Sequence, residues 1–142
     1  MEGVKKVNEK PQYKRVMYVD TDTAGQLFFE QRAKSCNLAE DVVIFGTLNE
    51  AQQYIAMVKP ENFPQVIYLD LALDNGHTAE DFARHYHRTV SDEVKSKTKL
   101  VVVSAHIAYN TEPAQMESML GAKLIDAFYE KHAIGTAQTA FE

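Results

Sequence analysis

Residues 65–70 read QVIYLD, a short apolar run that ends in Asp70. A run of four to eight residues rich in Val, Ile and Tyr, with no polar alternation, is the pattern of a strand buried on both faces of a parallel sheet. Three other runs have the same form: RVMYV (15–19) before Asp20, KLVVV (99–103) before Ser104, and DAFYE (126–130) before Lys131. In open parallel sheets, chemistry gathers beyond the carboxyl ends of the strands. Two carboxylates, a hydroxyl and an ammonium are therefore expected at one edge of the sheet.

Between these runs the chain carries helical signals, as right-handed β-α-β units require. Ala24 to Cys36 predicts an amphipathic helix with Leu27, Phe28 and Ala33 toward the sheet. The run Val42 to Phe45 predicts a second strand. Thr47 with Glu50 three residues on is a capping-box signature, and Leu48, Ala51, Ile55 and Val58 keep helical spacing until Pro60 stops the helix. After Asp70, Asn75-Gly76 signals a turn before a helix from about Thr78 to Arg88. Thr89 to Thr98 is rich in charge and reads as a solvated helical extension or long loop. Glu112 to Leu120 predicts a further helix with Met116, Met119 and Leu120 inward, and the tail from Ala133 has apolar content for only a short helix. The expected fold is α/β, a five-stranded parallel sheet with helices on both faces.

At 142 residues the chain suits one domain, drawn here as 15–142 behind a loose polar arm at 1–14. The net charge of −5, with lysines scattered apart from VKSKTK (94–99), argues against a nucleic-acid surface. No apolar stretch approaches the ~20 residues of a membrane span, and the opening MEGVKKVNEKPQYK lacks a signal-peptide core. Cys36 is the only cysteine, so an internal disulfide and a Cys-based metal site are excluded. A soluble, cytoplasmic protein is expected. His77, His85, His87, His106 and His132 are too dispersed for a metal cluster, and His85 and His87 are expected to be solvated.

In order and spacing, these residues resemble the receiver domain of two-component response regulators (CheY-like), from Arg15 to about Ile134. Such receivers end strand one in an acidic cluster, strand three in the phosphate-accepting aspartate, strand four in Ser or Thr, and strand five in Lys-Pro. The matching positions are Asp20 and Asp22, Asp70, Ser104 and Lys131, while DAFYEK resembles the family's DAFLEK-type fifth strand. The resemblance implies a flavodoxin-like doubly wound form of the sheet, and a non-enzymatic phosphorelay component that takes a phosphoryl group on Asp70 from a histidine kinase or phosphotransfer protein. With about a dozen residues after Lys131, it implies a single-domain regulator that signals by docking to a downstream protein partner.

The residue types suit that chemistry. A carboxylate attacking a phosphoryl group meets an anion, so the transferring oxygens must be neutralised, commonly by Mg²⁺ and a fixed cation. Asp20 and Asp70, the Ala72 backbone carbonyl and additionally Asp22 are the candidate Mg²⁺ ligands. Lys131 and Ser104 would hold phosphoryl oxygens, and Phe128, three residues before the lysine, would be the aromatic switch.

Three positions depart from the family. Thr21 stands where a second metal-binding acid is usual, which weakens Mg²⁺ binding. His132 replaces the proline after the lysine, and since a non-proline cis bond costs about 2.5–4 kcal/mol, a trans bond is expected. Asp74 stands where the family generally has Pro. Thr21 supports an alternative reading, a phosphorylation-independent pseudo-receiver that acts as a protein-binding module. A remote third reading, a haloacid-dehalogenase-like phosphatase built on Asp20 and Asp22, lacks the expected Thr or Val at Ala24 and a later acidic pair. A flavin-binding reading ranks lower still, because the first loop, DTDTAGQ, is acidic where a phosphate-binding loop should be free of carboxylates.

Overall fold

The computed structural model describes residues 10–70, 79–104 and 112–136; the side chains of 112–116 lie outside the description. Five strands form one all-parallel sheet in the order β2-β1-β3-β4-β5: β1 (Tyr13–Val19), β2 (Ala39–Phe45), β3 (Val66–Asp70), β4 (Lys99–Ser104) and β5 (Ala127–Glu130). This is the flavodoxin-like doubly wound arrangement, in which the strand order reverses between β1 and β3 and opens a crevice at their carboxyl ends. Asp20 and Asp70 lie at that reversal.

Burial explains the strand signals. Val16 to Val19, Val66 to Leu69 and Leu100 to Val103 are all at most 1 % exposed, because helices cover both faces. Met17, Val19, Ile67, Leu69, Leu100 and Val102 face one side, where they meet Leu48, Ala51 and Ile55 of α2 (Leu48–Met57) and Phe82, Ala83 and Tyr86 of α3 (Ala79–Thr89). Val16, Tyr18, Val66, Tyr68, Val101 and Val103 face the other, against Phe29 and Ala33 of α1 (Thr23–Ser35).

The inner face of α1 differs from the expected one. Gly25, Phe29 and Ala33, spaced four apart, lie against the sheet, whereas Leu27 is 54 % exposed and Phe28 is 40 % exposed. A glycine at the first contact sets this rotation, since α1 approaches the strand ends closest there. The helix ends at Cys36, and Asn37 takes the left-handed conformation (φ 52°) that Asn tolerates better than most residues.

Two boundaries also moved. β1 starts at Tyr13, two residues ahead of the boundary drawn at Arg15, and Tyr13 is buried. β2 starts at Ala39 rather than Val42, because Glu40 and Asp41 on this outer strand still pair with β1 while facing solvent. The capping box held: the Thr47 hydroxyl accepts the Glu50 N–H at 3.1 Å.

The charged stretch after α3 forms a short helix, α4 (Asp92–Lys95), capped by Ser91. Its end is not fully solvated: Thr98 is buried and its hydroxyl donates to the Pro64 carbonyl at 2.9 Å. His87, expected in solvent, is half-buried and bonds the Leu124 carbonyl at 2.9 Å, tying α3 to the segment before β5. α5 (Glu112–Gly121) places Met119 inward with Leu120 partly buried. After β5 a single 3-10 turn, Lys131–Ala133, stands where a short helix was expected to begin. The Asn75-Gly76 turn, the N-terminal arm before Lys10 and the tail after Thr136 lie outside the described residues. No described helix is long and apolar enough to cross a membrane.

Phe82 is fully buried between α3 and the sheet, so Phe82→Ala removes both buried area and packing, whereas Met57 is 81 % exposed. Urea denaturation should show a loss of about 3–5 kcal/mol for Phe82→Ala and a change within about 0.5 kcal/mol for Met57→Ala.

Candidate functional site

Lys131 brings the two aspartates together. Its Nζ lies 3.0 Å from Asp20 Oδ2 and 3.4 Å from Asp70 Oδ1, bridging the carboxyl ends of β1 and β3 from just beyond β5. Asp20 has no exposed surface, and a buried charge must be paired and hydrogen-bonded to be tolerated. Its partners are all at hand. Oδ1 accepts the Asp22 N–H at 2.9 Å, and Oδ2 accepts the Tyr18 hydroxyl at 2.5 Å as well as the Lys131 ammonium.

Several neighbours hold this carboxylate in place. Tyr18 precedes Asp20 by two residues, so strand alternation puts both on the α1 face. Its ring stacks parallel on Phe29 at 4.3 Å, and Phe29 in turn meets Tyr68 at 5.3 Å. Gln26 donates to the Asp20 backbone carbonyl at 2.7 Å. Gly25 is required by proximity: a Cβ there would lie 2.1 Å from Asp20 Oδ2 and 3.1 Å from Lys131 Nζ. Tyr18, Gly25 and Gln26 were not singled out from sequence. For Tyr18 the signal was present in its spacing of two from Asp20.

The other expected residues fall around this cluster. Ser104 ends β4, is buried, and continues the side of β4 that carries Leu100 and Val102. Phe128 lies opposite Val102 in the register and packs half-buried against that same face. Ser104 and Phe128 thus share the α2–α3 side, while Asp20, Asp70 and Lys131 converge on the α1 side. The Lys131–His132 bond is trans, as His132 led us to expect, and the His132 ring lies 3.1 Å from Glu130. Asp22 is exposed and caps α1, its Oδ1 accepting the Ala24 N–H at 3.3 Å. Ala72 and Asp74 lie outside the described residues.

The donor set does not offer Mg²⁺ a ready site. Both Asp20 oxygens already accept hydrogen bonds, Thr21 contributes no charge, Asp22 caps a helix, and no three His, Cys, Asp or Glu side chains converge among the described residues. Mg²⁺ demands near-ideal octahedral geometry from hard oxygens, and Asp20 Oδ2 would have to surrender a donor to take part.

Electrostatics follow the same geometry. Burial acts to lower the Lys131 pKa, but the hydrogen bond to Asp20 and the charges of Asp70 and Asp20 outweigh it and hold the ammonium above its ordinary value. Burial, reinforced by the hydrogen bond to Asp20 and the negative charges around it, pushes the Tyr18 phenol far above the usual tyrosine range. Tyr18 is a neutral donor throughout the physiological range. A separate cavity of about 500 Å³, lined by residues including Arg15, Asn62, Phe63, Val94 and Lys97, opens at the opposite end of the sheet.

No protein-family model matches the chain, and no curated protein matches it by sequence. Solved structures match it in fold. A CheY-like response regulator receiver domain protein from Methanospirillum hungatei is 20 % identical, with a TM-score of 0.59 over 84 % of this chain and 82 % of that one. A response regulator receiver protein from Dyadobacter fermentans, 20 % identical, reaches a TM-score of 0.66 over 81 % of this chain and 84 % of that one. The Mg²⁺ complex of the receiver domain of the histidine kinase CKI1 from Arabidopsis thaliana is 18 % identical, with a TM-score of 0.62 over 88 % of each chain. The chain has the fold of CheY-like receiver domains.

Tyr18, Tyr68 and Tyr86 are all raised above the ordinary tyrosine value of 10.0, first by burial. A raised folded pKa contributes stability that is complete below pH 10 and is lost as the pH climbs from there toward the folded value. In an alkaline titration followed at 295 nm, these three of the seven tyrosines should ionise only together with the loss of the circular dichroism signal. Ionisation of all seven in the folded protein would contradict the site geometry.

Proposed function

We propose that this protein is a response-regulator receiver in a two-component phosphorelay, accepting a phosphoryl group on Asp70 and signalling through altered docking to a downstream protein. The observation that carries the reading is the Lys131 ammonium set between Asp20 and Asp70 at the β1–β3 crevice. A fixed cation beside a strand-end carboxylate is what an attack on a phosphoryl group needs, because both reactants are anions.

The donor is a phosphohistidine of a histidine kinase or phosphotransfer protein. An Asp70 oxygen attacks phosphorus, the P–O bond forms as the P–N bond breaks, and the imidazole leaves carrying a proton. Lys131 turns from the carboxylate toward a phosphoryl oxygen, and the Ser104 hydroxyl donates to another. Pulling Ser104 toward the phosphate disturbs the face it shares with Phe128, and the ring shifts with it. The role is regulatory rather than enzymatic, and as a phosphorelay component the protein acts in the cytoplasm. Any Mg²⁺ held by the Asp20 and Asp70 carboxylates would be bound weakly, so Lys131 supplies the fixed positive charge.

A second reading, a pseudo-receiver that binds its partner without phosphorylation, is favoured by one observation. Asp20 already accepts hydrogen bonds from Tyr18, Lys131 and the Asp22 amide, and Thr21 stands where a second metal-binding acid would add charge. Intact mass after incubation with acetyl phosphate, with and without Mg²⁺, separates the two. The receiver reading expects a gain of one phosphoryl group that disappears in Asp70→Asn. No gain in the folded wild type under any condition would leave the pseudo-receiver standing.

A further inference from the structure

We propose that Tyr18 and Lys131 together keep divalent cations out of the acidic pocket, with the Lys131 ammonium serving as its resident counter-ion. The inference takes its setting from the receiver reading, but its geometry stands independently.

Asp20 turns Oδ1 to the Asp22 amide and Oδ2 to Tyr18 and Lys131. A carboxylate oxygen has two lone pairs, and here they face the Tyr18 hydroxyl at 2.5 Å and the Lys131 Nζ at 3.0 Å. The remaining approach is closed by the α1 backbone, since even a Cβ on Gly25 would come within 2.1 Å of Oδ2. A metal ion reaching this oxygen must therefore displace one of the two donors.

Neither donor leaves cheaply. The Tyr18 ring is fully buried and stacked on Phe29, itself fully buried, so the hydroxyl cannot swing aside without opening the core between α1 and the sheet. Lys131 is held by both carboxylates, and displacing it removes the cation that bridges them. The charge balance points the same way. Among the described residues, Asp20, Asp70 and Lys131 together leave a single net negative charge, because Thr21 adds none, and that is a poor field for a hard divalent ion.

Tyr18 is a positioning residue in this scheme: it acts on the pocket only through Asp20. An aliphatic side chain at the same point of β1 would fill the space against Phe29 but leave one Oδ2 lone pair open toward the crevice. The tyrosine hydroxyl thus distinguishes a pocket closed to metal from one that is merely short of one acid.

The test is calorimetric titration of the purified wild type, Tyr18→Phe and Lys131→Met with MnCl₂ alone, at neutral pH and without a phosphodonor. Tyr18→Phe keeps the stacked ring and removes only the hydroxyl, so its circular dichroism and thermal midpoint report whether the fold is retained. Wild type should bind Mn²⁺ no tighter than about 1 mM. Tyr18→Phe should bind about 10- to 100-fold tighter, the equivalent of one hydrogen bond to a charged group, and Lys131→Met at least as tightly. Tight binding by wild type, or an unchanged affinity in folded Tyr18→Phe, would overturn the proposal. Because the titration reads metal alone and the mass measurement reads phosphoryl uptake at Asp70, failure of one leaves the other intact.

Discussion

A fully buried carboxylate at the end of a central strand is the constraint around which this molecule is arranged. Asp20 sits at the end of β1 with no exposed surface, and beside the Tyr18 hydroxyl and the Asp22 amide it is paired by an ammonium from 111 residues further along the chain. Removing one partner of such a pair leaves an unpaired buried charge, which costs about 3–5 kcal/mol. The register of β1, β3, β4 and β5, the rotation of α1 that turns Gly25 inward, and the trans bond after Lys131 all serve to keep that ammonium where Asp20 and Asp70 can share it.

The same cluster organises the two faces of the sheet differently. On the α1 side, Asp20, Asp70 and Lys131 form a closed polar centre backed by a stacked aromatic wall of Tyr18, Phe29 and Tyr68. On the α2–α3 side, Ser104 and Phe128 lie one step away, on the ends of β4 and β5 and against the larger hydrophobic cluster. Asp70 therefore ends a central strand between a polar centre on one face of the sheet and the larger hydrophobic cluster on the other.

Much of this was legible in the sequence because strands buried on both faces leave an uninterrupted apolar run, and the residue that ends each run is marked by its polarity. The strands and the convergence of Asp20, Asp70 and Lys131 follow from that pattern, the α2 cap follows from Thr47 and Glu50, and the strand order came with the family resemblance. What escaped was set by contacts distant in sequence or by helix rotation. Phe29 rather than Phe28 faces the sheet because Gly25 fixes the approach of α1, and two adjacent phenylalanines give periodicity no means of choosing between them. Thr98 and His87 looked solvated among charged neighbours, yet each satisfies a backbone carbonyl brought close only by folding. Tyr18 read as core, and its ring is core; its hydroxyl became part of the site because alternation by two placed it beneath Asp20. Asp22 matched the acidic cluster of receivers by position but was claimed by the start of α1.

The central claim is that Lys131 and Asp20 are energetically one unit. It is tested most directly by a double-mutant cycle of Asp20→Asn and Lys131→Met, with stability measured by urea denaturation at neutral pH. The account predicts that each single change is strongly destabilising and that the double mutant is more stable than the sum of the singles implies, with a coupling of about 1–3 kcal/mol. Additivity within about 0.5 kcal/mol would contradict it, and would mean that the buried carboxylate does not depend on the lysine that reaches it.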